Sequence, residues 1–409
     1  MDPYIKEKAQ KIKEKTEGDI CNHCLGRKFS NDLEGPGNPL RGMKVREIMS
    51  QEGEEFNSIN PCVICGDLFQ KLEIAADEVE NKIKSLDLEY FSFLVGSKVD
   101  SELIKKDEEL NNCLNLDVES IKREINRELG KILEERLNTE VDFDNPQIVI
   151  NADFRQEALK IRIQINPLFL EGRYRKLIRG IPQTKWPCRK CRGKGCEGCN
   201  FTGKMYLETV EELISEPAHK MSHSKESKFH GAGREDIDVR MLGTGRPFVL
   251  EIKEPHRRVL DLDILQKEIN ETNAGKVEVL DLKYSVRSRK AEIKTSSPDT
   301  YKIYQALVEL KDEIKEDDLK SLKTLTLIKQ RTPIRVSHRR ADKIRKREVM
   351  DIQYEIIDSK TIKLIIKGQG GLYIKELISG DEERTQPNVS QVLGTHAICT
   401  ELDVLEVGI

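Results

Sequence analysis

The sequence predicts an α+β protein of more than one domain. Its 409 residues exceed what one ordinary hydrophobic core accommodates. Helical periodicity dominates the chain up to about residue 170, whereas most of the remainder has the pattern of β-strands. We therefore expect an N-terminal α/β domain over residues 1–172 and a C-terminal domain over residues 205–409, built on a mixed, mainly antiparallel sheet. A basic, cysteine-containing insertion over residues 173–204 separates the two.

The N-terminal domain is predicted to contain helices followed by two strands. Apolar residues recur at helical spacing over residues 75–86 and 118–137, which predicts two amphipathic helices. Residues 147–151 and 159–165 predict strands, the second of which alternates cleanly. Helices followed by such strands, leading into Asn166-Pro167-Leu168-Phe169-Leu170, resemble a THUMP domain, a module found on tRNA-modifying enzymes. The resemblance implies an RNA-binding N-terminal domain.

The C-terminal domain is predicted to be rich in strands. A hairpin is expected where residues 238–242 turn at Gly243-Thr244-Gly245 into residues 248–252. Further strands are expected over residues 277–286, 301–310, 348–357, 361–367 and 397–407. Strands that follow a helical half of the chain are typical of α+β architecture.

Composition argues against a membrane or secreted protein. No run approaches the roughly 18 consecutive apolar residues of a membrane span, and the first residues begin no signal peptide. Charged residues make up 34% of the chain, and the formal net charge is −3. We therefore expect a cytoplasmic protein that makes no membrane contact, and, as a separate expectation, a monomer. The small net charge is no argument against nucleic acid, because local charge distribution matters more than the sum.

Two sets of four cysteines are predicted to hold structural zinc. Eight of the ten cysteines fall in Cys-x-x-Cys pairs, which in a reducing compartment indicates metal binding and not disulfides. One set is a knuckle of short spacing, and the other joins two distant pairs, for which incidental or redox pairs are the alternative. The members are Cys188, Cys191, Cys196 and Cys199 in the knuckle, and Cys21, Cys24, Cys62 and Cys65 in the second set. Four thiolates close a tetrahedral shell and leave no position for a substrate.

Two basic stretches are candidates for RNA contact. Between Arg173 and Lys204 there are ten Lys or Arg residues against one acidic residue, together with Trp186, the only tryptophan. Between Lys329 and Arg347 there are nine against one. Positive charge beside aromatic rings suits the RNA backbone and exposed bases, and a solvated charged surface is the alternative. The candidate contacts are Arg173, Arg175, Lys176, Lys190, Arg192, Arg339 and Arg340.

Three short motifs are candidates for a catalytic site. Gly233-Arg234-Glu235-Asp236 brings a guanidinium and a carboxylate to the mouth of a predicted strand, although an ordinary turn into a strand has the same pattern. Lys302-Ile303-Tyr304-Gln305-Ala306-Leu307 and Gly371-Leu372-Tyr373-Ile374-Lys375-Glu376-Leu377 follow in that order. Together the three runs resemble the motifs of pseudouridine synthases.

The resemblance implies a role for each motif residue in turning uridine into pseudouridine. Asp236 matches the catalytic aspartate, which acts as a nucleophile or removes a proton from the sugar. Arg234 would grip a phosphate or take the place of the extruded base, since a base in folded RNA must be flipped to react. Tyr304 would stack on the uracil and assist removal of the proton from C5, and Ile374 would pack on the base. Lys375 would pair with the aspartate and keep it ionised. No cofactor is required for this reaction.

Longer blocks narrow the resemblance to tRNA enzymes. Residues 233–248 and 331–340 are similar to blocks of the archaeal and eukaryotic synthases that act on positions 54 and 55 of the tRNA T-loop. The N-terminal cysteines and the THUMP-like region also belong to that family, so the resemblance spans nearly the whole chain. It implies tRNA as the partner, held through its T-arm and acceptor arm.

A protein without catalysis is the alternative. A zinc-bearing RNA-binding protein or tRNA chaperone would use the basic knuckle and need no chemistry. The two hypotheses differ at Asp236, because a protein that only binds RNA should tolerate the loss of that carboxylate.

Overall fold

The computed structural model describes residues 3–35, 37–57, 61–156, 158–295 and 300–408. The side chains of Thr295 and of Arg339 lie outside the described residues, so the predicted RNA contact by Arg339 does too. Internal contacts divide the chain into two units, Met1–Asn166 and Pro167–Ile409. None of the helices in the described ranges combines the length and the apolar character needed to cross a bilayer.

The N-terminal unit packs helices on a small mixed sheet. Its helices are α1 (Pro3–Thr16), α2 (Asn22–Lys28), α3 (Asn38–Gln51), α4 (Leu72–Leu86), α5 (Ser101–Cys113) and α6 (Ile121–Leu137). Its strands are β1 (Ser92–Lys98), β2 (Glu140–Val141), β3 (Ile148–Asp153) and β4 (Lys160–Ile165), in the sheet order β2-β1-β3-β4. Strand β1 runs parallel to both neighbours, and β3 and β4 are antiparallel. The predicted helices and strands of this region are confirmed as α4, α6, β3 and β4.

The apolar stripes of α4 and α6 explain why these segments are helical. Ala75, Ala76, Val79 and Ile83 of α4 are buried, and so are Ile125, Leu129 and Leu133 of α6. These spacings of three and four residues place one stripe of each helix in the core that also holds the inward residues of β1 and β3. Burial of that stripe, more than intrinsic propensity, stabilises such helices.

The C-terminal unit is built on one large sheet. Its strands are β5 (Leu168–Lys176), β6 (Glu226–Gly231), β7 (Val239–Lys253), β8 (Val277–Ser285), β9 (Tyr301–Leu310), β10 (Leu327–Arg331), β11 (Ile344–Asp358), β12 (Thr361–Gln369), β13 (Thr385–Gln386) and β14 (Ala397–Val407). Among the described residues the sheet order is β13-β10-β11-β12-β9-β14-β7-β5-β8, with β6 paired to β7. All described pairs are antiparallel except β14 with β7, which confirms the predicted mixed, mainly antiparallel sheet.

Helices of the C-terminal unit are short and lie between strands. They are α7 (Val210–Ser222), α8 (Leu262–Thr272), α9 (Arg289–Thr295), α10 (Glu316–Leu319), α11 (Ile374–Ser379) and α12 (Val389–Leu393). The core of the unit joins alternate residues of the central strands, among them Tyr304, Ala306 and Val308 of β9, to apolar residues of α7, α8 and α11.

The predicted hairpin over residues 238–252 is wrong, because the segment is one strand. Strand β7 pairs in parallel with β14 through residues 239–241, and then continues along β5 and β6. Gly243 and Gly245 have φ of +54° and +73°, and they form a bulge and not a turn. A Cβ on Gly243 would lie 1.8 Å from the carbonyl oxygen of Leu405, so glycine permits the close approach to β14.

Strand β5 begins the C-terminal sheet earlier than the predicted boundaries at 172 and 204. It pairs with β7 from Leu168 and with β8 from Phe169, so residues 168–176 belong to the sheet. The loop that contains the basic insertion therefore leaves the sheet after Lys176 and ends where α7 begins, at Val210.

Candidate active site and metal centres

A cleft of about 810 Å³ opens in the C-terminal unit, where the three predicted motifs meet. Its walls are the loop before β7, the first residues of β9, the segments around residues 335–347 and 370–375, and part of β14. Asp236, Tyr304, Ile374 and Lys375 all line it, and so does Arg234. The fold thus collects side chains from distant parts of the sequence around one concave surface, as enzyme sites usually require.

Asp236 forms an ion pair with an arginine that the motifs did not single out. One oxygen of the Asp236 carboxylate lies 2.7 Å from Nη1 of Arg335. The Nε atom of Arg335 lies 2.5 Å from Glu376, whose side chain is buried. Burial disfavours the charge of Arg335, but Glu376 and Asp236 outweigh it and raise the pKa of that guanidinium. A permanently charged arginine, anchored by one carboxylate, therefore holds the other in the cleft.

Lys375 does not pair with Asp236, so the predicted pairing is wrong. The Lys375 ammonium lies 2.5 Å from the carboxylate of Asp238, two residues further along the loop. Burial alone would raise the pKa of Asp238, but the hydrogen bond and the charge of Lys375 outweigh it and lower that pKa. The cleft therefore contains two separate carboxylate–cation pairs, Asp236 with Arg335 and Asp238 with Lys375.

A buried polar network holds the loop that carries Asp236. The side chain of Glu235 is fully buried, 2.9 Å from the guanidinium of Arg246, and it accepts a hydrogen bond from the Tyr174 hydroxyl at 2.8 Å. Arg246 also donates to the carbonyl of Ala232 at 2.9 Å. Gln183 donates to the carbonyl of Gly233 at 3.0 Å. Because each donor reaches the loop from a different segment, the network restricts the backbone that carries Asp236.

The predicted RNA contact by Lys176 is wrong. This side chain is fully buried, and its ammonium donates to the carbonyls of Ile181, Asp236 and Ile237 at 3.0, 3.1 and 3.2 Å. Strand β5 alternates, so Lys176 lies on the same inward face as Leu170 and Tyr174, both fully buried. The alternation of β5 was the sequence signal for this structural role, because it places Lys176 at an inward-facing position.

Arg173 and Arg175 also bind within the protein. Arg173 donates to the carbonyls of Thr244, Gly245 and Val407, and Arg175 donates to the carbonyl of Gly243 and pairs with Glu278. They lie on β5, beside the bulge of β7. These two arginines therefore stabilise the bulge through hydrogen bonds to its carbonyls. The other predicted contacts of this stretch, Lys190 and Arg192, are exposed on the knuckle loop.

Tyr304 and Lys302 project inward from the same face of β9. Burial raises the pKa of Tyr304 to about 12, so its phenol is neutral at physiological pH. Burial, and to a smaller extent the charge of Arg246, lowers the pKa of Lys302 to about 7. Tyr301 bonds to Glu406 and lies against Lys367, away from the residues that line the cleft. Of Tyr301 and Tyr304, only Tyr304 therefore lines the cleft.

Arginines surround the cleft. Arg234 and Arg340, both predicted, line it together with Arg345 and Arg347 of the second basic stretch. Arg340 donates to the hydroxyl of Tyr373 at 2.8 Å. Arg234 donates to the hydroxyl of Thr184 at 3.3 Å. This arrangement can hold several phosphates of a polyanion around one reacting residue.

The two cysteine sets each converge to a group that can hold a metal ion. In each set the four sulfur atoms lie within 4.8 Å of one another. The backbone amides of Gly195 and Gly203 point at the sulfurs of Cys191 and Cys199, at 3.2 and 3.3 Å. A guanidinium nitrogen of Arg27 lies 3.6 Å from the sulfur of Cys24. Donors aimed at sulfur are typical of ligating thiolates, so the residues fit a tetrahedral ion.

Family models match both units of the chain. The model described as Pus10, C-terminal, matches residues 169–408, and the one described as Pus10 THUMP domain, archaeal, matches residues 75–153. The tRNA pseudouridine synthase Pus10 of Methanothermobacter marburgensis is 54% identical over 404 residues, which cover 99% of each chain. The protein of the same name from Pyrococcus furiosus is 43% identical over 98% of each chain. A solved Cbf5-Nop10-Gar1 complex is similar at 18% identity and a TM-score of 0.32, over 49% of this chain and 45% of that one, which is too remote to carry an argument.

Proposed function

This chain belongs to the archaeal Pus10 family of tRNA pseudouridine synthases, and from that premise we propose that it modifies uridines 54 and 55 of the tRNA T-loop. The observation that carries the proposal is the ion pair between Asp236 and Arg335. It joins the two sequence blocks, residues 233–248 and 331–340, that resemble the T-loop enzymes. We further propose that the enzyme acts in the cytoplasm as a monomer.

The reaction needs one ionised carboxylate and a place for the uracil to turn. The bond between C1′ of the ribose and N1 of the uracil breaks, and a bond between C1′ and C5 replaces it. The hydrogen on C5 leaves as a proton, and N1 gains one, so the isomerisation balances without a redox partner or cofactor. We assign the reacting carboxylate to Asp236, either as the nucleophile or as the base that removes a sugar proton. In both routes the reacting group is this carboxylate, one oxygen of which accepts a hydrogen bond from Arg335.

Tyr304 and Ile374 form the proposed uracil site. Both are buried side chains that line the cleft. With a pKa of about 12, the phenol of Tyr304 is almost entirely protonated at neutral pH. We propose that Tyr304 stacks on the base in its protonated form.

The tRNA is proposed to bind through its T-arm and acceptor arm. Arg234, Arg340, Arg345 and Arg347 would contact phosphates next to the flipped uridine, since they surround the same cleft. The exposed side chains of Lys190 and Arg192 would contact the backbone further away. The THUMP domain supplies a second RNA-binding unit.

We propose that the metal is zinc at both four-cysteine sites and that its role is structural. A closed shell of four thiolates leaves no coordination position for RNA or water. Elemental analysis of protein purified without chelator should find two zinc ions per chain. A content of one or none would contradict the assignment of one site or both.

The decisive experiment maps pseudouridine in a T-loop transcript after incubation with the wild type, Asp236→Asn and Asp238→Asn. We expect modification at positions 54 and 55 with the wild type and none with Asp236→Asn, while tRNA affinity stays within a few-fold. Asp238→Asn is the matched control, since it removes the neighbouring carboxylate and should leave part of the activity. Turnover by Asp236→Asn would overturn the catalytic assignment. A wild type that binds tRNA and modifies nothing would favour the RNA-binding alternative.

A further inference from the structure

The single tryptophan lines the catalytic cleft, although it belongs to the arm of the zinc knuckle. Trp186 is partly exposed and faces the same cleft as Asp236 and Arg234. The segment that carries it is joined to the catalytic loop twice. Gln183 donates to the carbonyl of Gly233 at 3.0 Å, and Arg234 donates to the hydroxyl of Thr184 at 3.3 Å.

The knuckle holds Trp186 in place from its other side. The carbonyl of Trp186 accepts a hydrogen bond from the amide of Met205 at 2.9 Å, and Pro187 pairs with Lys204 across the base of the knuckle. The indole packs perpendicular to the ring of Tyr206, with centroids 5.7 Å apart. The four cysteines lie in the chain between Pro187 and Lys204, so a metal ion at this site would hold the two paired segments together.

A partly exposed indole at a cleft for a flipped nucleotide can stack on a neighbouring base. The target uracil is assigned to Tyr304 and Ile374, which are buried, whereas Trp186 is accessible. When one nucleotide leaves a stacked loop, the base next to it loses its stacking partner. An aromatic side chain that replaces this partner recovers stacking energy whatever the base is.

We propose that Trp186 is a stacking site for the base of a nucleotide that flanks the target uridine. The inference rests on the proposed function of the same cleft and adds a contact that none of the three motifs contains. It assigns a role to the knuckle in catalytic positioning, because the knuckle sets where the indole lies. A T-loop that lacks the flanking base would lose this contact with Trp186.

Intrinsic fluorescence tests the proposal directly, because Trp186 is the only tryptophan in the chain. A T-arm stem-loop RNA is titrated into Asp236→Asn protein, which should bind without turnover, and gel mobility measures binding in parallel. We expect the emission to be quenched on binding. Removing one flanking base as an abasic nucleotide should abolish most of the quenching while the RNA still binds. Bound RNA without quenching, or equal quenching by every abasic RNA, overturns the proposal.

Substitutions give the second measurement. Trp186→Leu should raise the KM for tRNA about five- to a hundred-fold, which is the usual range for a lost base–aromatic stack. Trp186→Phe keeps a ring and should recover most of the affinity. Phe201→Leu is the control, since Phe201 is 73% exposed on the same knuckle but does not line the cleft. If Trp186→Leu stays within two-fold of the wild type, or if Phe201→Leu loses as much, the stacking site is excluded.

The outcomes separate this proposal from the proposed function. If the wild type forms pseudouridine in the T-loop but the tryptophan signal ignores bound RNA, only the stacking site fails. If the wild type forms no pseudouridine, the proposed function fails whatever the fluorescence shows.

Discussion

The ion pair between Asp236 and Arg335 defines the site at the scale of single residues. Arg335 contacts two carboxylates, and the buried one, Glu376, fixes the guanidinium so that it can orient the exposed one. The side chain of Asp236 is 32% exposed, which leaves it accessible to a ribose while one oxygen is held. A charged side chain held in one orientation costs less reorganisation when it reacts. We therefore propose that Arg335, and not Lys375, is the residue that positions Asp236.

The positioning role predicts that substitution of Arg335 lowers the reaction rate much more than the affinity for tRNA. Arg335→Gln should lower the single-turnover rate by about a hundred-fold, the usual cost of a misplaced reacting group. The dissociation constant for tRNA should change only a few-fold. Arg335→Lys should recover part of the rate, since it keeps a cation within reach of the carboxylate. Lys375→Gln is the matched comparison, and a larger loss of rate there than with Arg335→Gln would restore Lys375 as the partner.

Lys302 is predicted to destabilise the fold below pH 7. Its folded pKa is about 7 against 10.5 for the unfolded group, because burial disfavours the ammonium. Between these values the unfolded chain binds more protons, so stability rises with pH, and below pH 7 the penalty is complete. Lys302→Met should therefore raise Tm more at pH 6 than at pH 10, as thermal melting would measure. Lys360→Met, at an exposed turn, serves as control, and an equal gain at both pH values would reject this account.

Strand β7 is the element on which the site depends. Its first residues follow the loop that carries Asp236 and pair with β14, and its later residues include Arg246, which supports that loop. The bulge at Gly243 allows β7 to pair with β14 before the bulge and with β6 and most of β5 after it. Loss of the bulge would separate the loop from the residues that support it.

Gly243→Ala should therefore destabilise the C-terminal unit. The left-handed φ alone costs about 1–2 kcal/mol for a residue with a Cβ, and contact with the Leu405 carbonyl adds to this cost. Urea unfolding measures the loss. Gly275→Ala provides the comparison, because Gly275 has φ of +76° with open space around its Cβ position. Equal losses in the two variants would show that β14 can move aside.

At the scale of the whole molecule, the basic stretch from Arg173 to Lys204 contains cations that bind within the protein and cations that are exposed. Arg173, Arg175 and Lys176 stabilise the protein, whereas Lys190 and Arg192 remain exposed. The net charge of −3 therefore says nothing about RNA binding. Only exposed cations can reach the RNA phosphates and displace the counterions that are condensed on them.

Charge reversal on the knuckle should reduce the salt dependence of tRNA binding. Lys190→Glu with Arg192→Glu removes two phosphate contacts, so the slope of log K against log salt should fall by about 1.5. The rate at saturating tRNA should change much less. Reversal of Lys320 and Lys323, which are exposed in the same unit, should leave the slope unchanged. Equal slopes for the knuckle variant and the wild type would show that the knuckle does not touch the RNA backbone.

The sequence by itself determined the family, the fold class and the residue types of the chemistry. Gly-Arg-x-Asp, the tyrosine run and the Cys-x-x-Cys pairs are recognisable because each is set by neighbours within a few residues. Period-two and period-3.6 patterns likewise predicted β9, α4 and α6. These features are local, so they can be read along the chain.

Only the tertiary structure decided which partners those residues have. Asp236 and Arg335 are separated by 99 positions, and two candidate cations and two carboxylates were available for pairing. Trp186 lines the cleft in a segment that is hydrogen-bonded, through Gln183, to the loop that carries Asp236. Lys176 looks like a surface cation until β5 is paired on both edges and its inward face is buried. Pair identity and burial depend on contacts between distant segments, and no local pattern encodes which of several equivalent charges will meet.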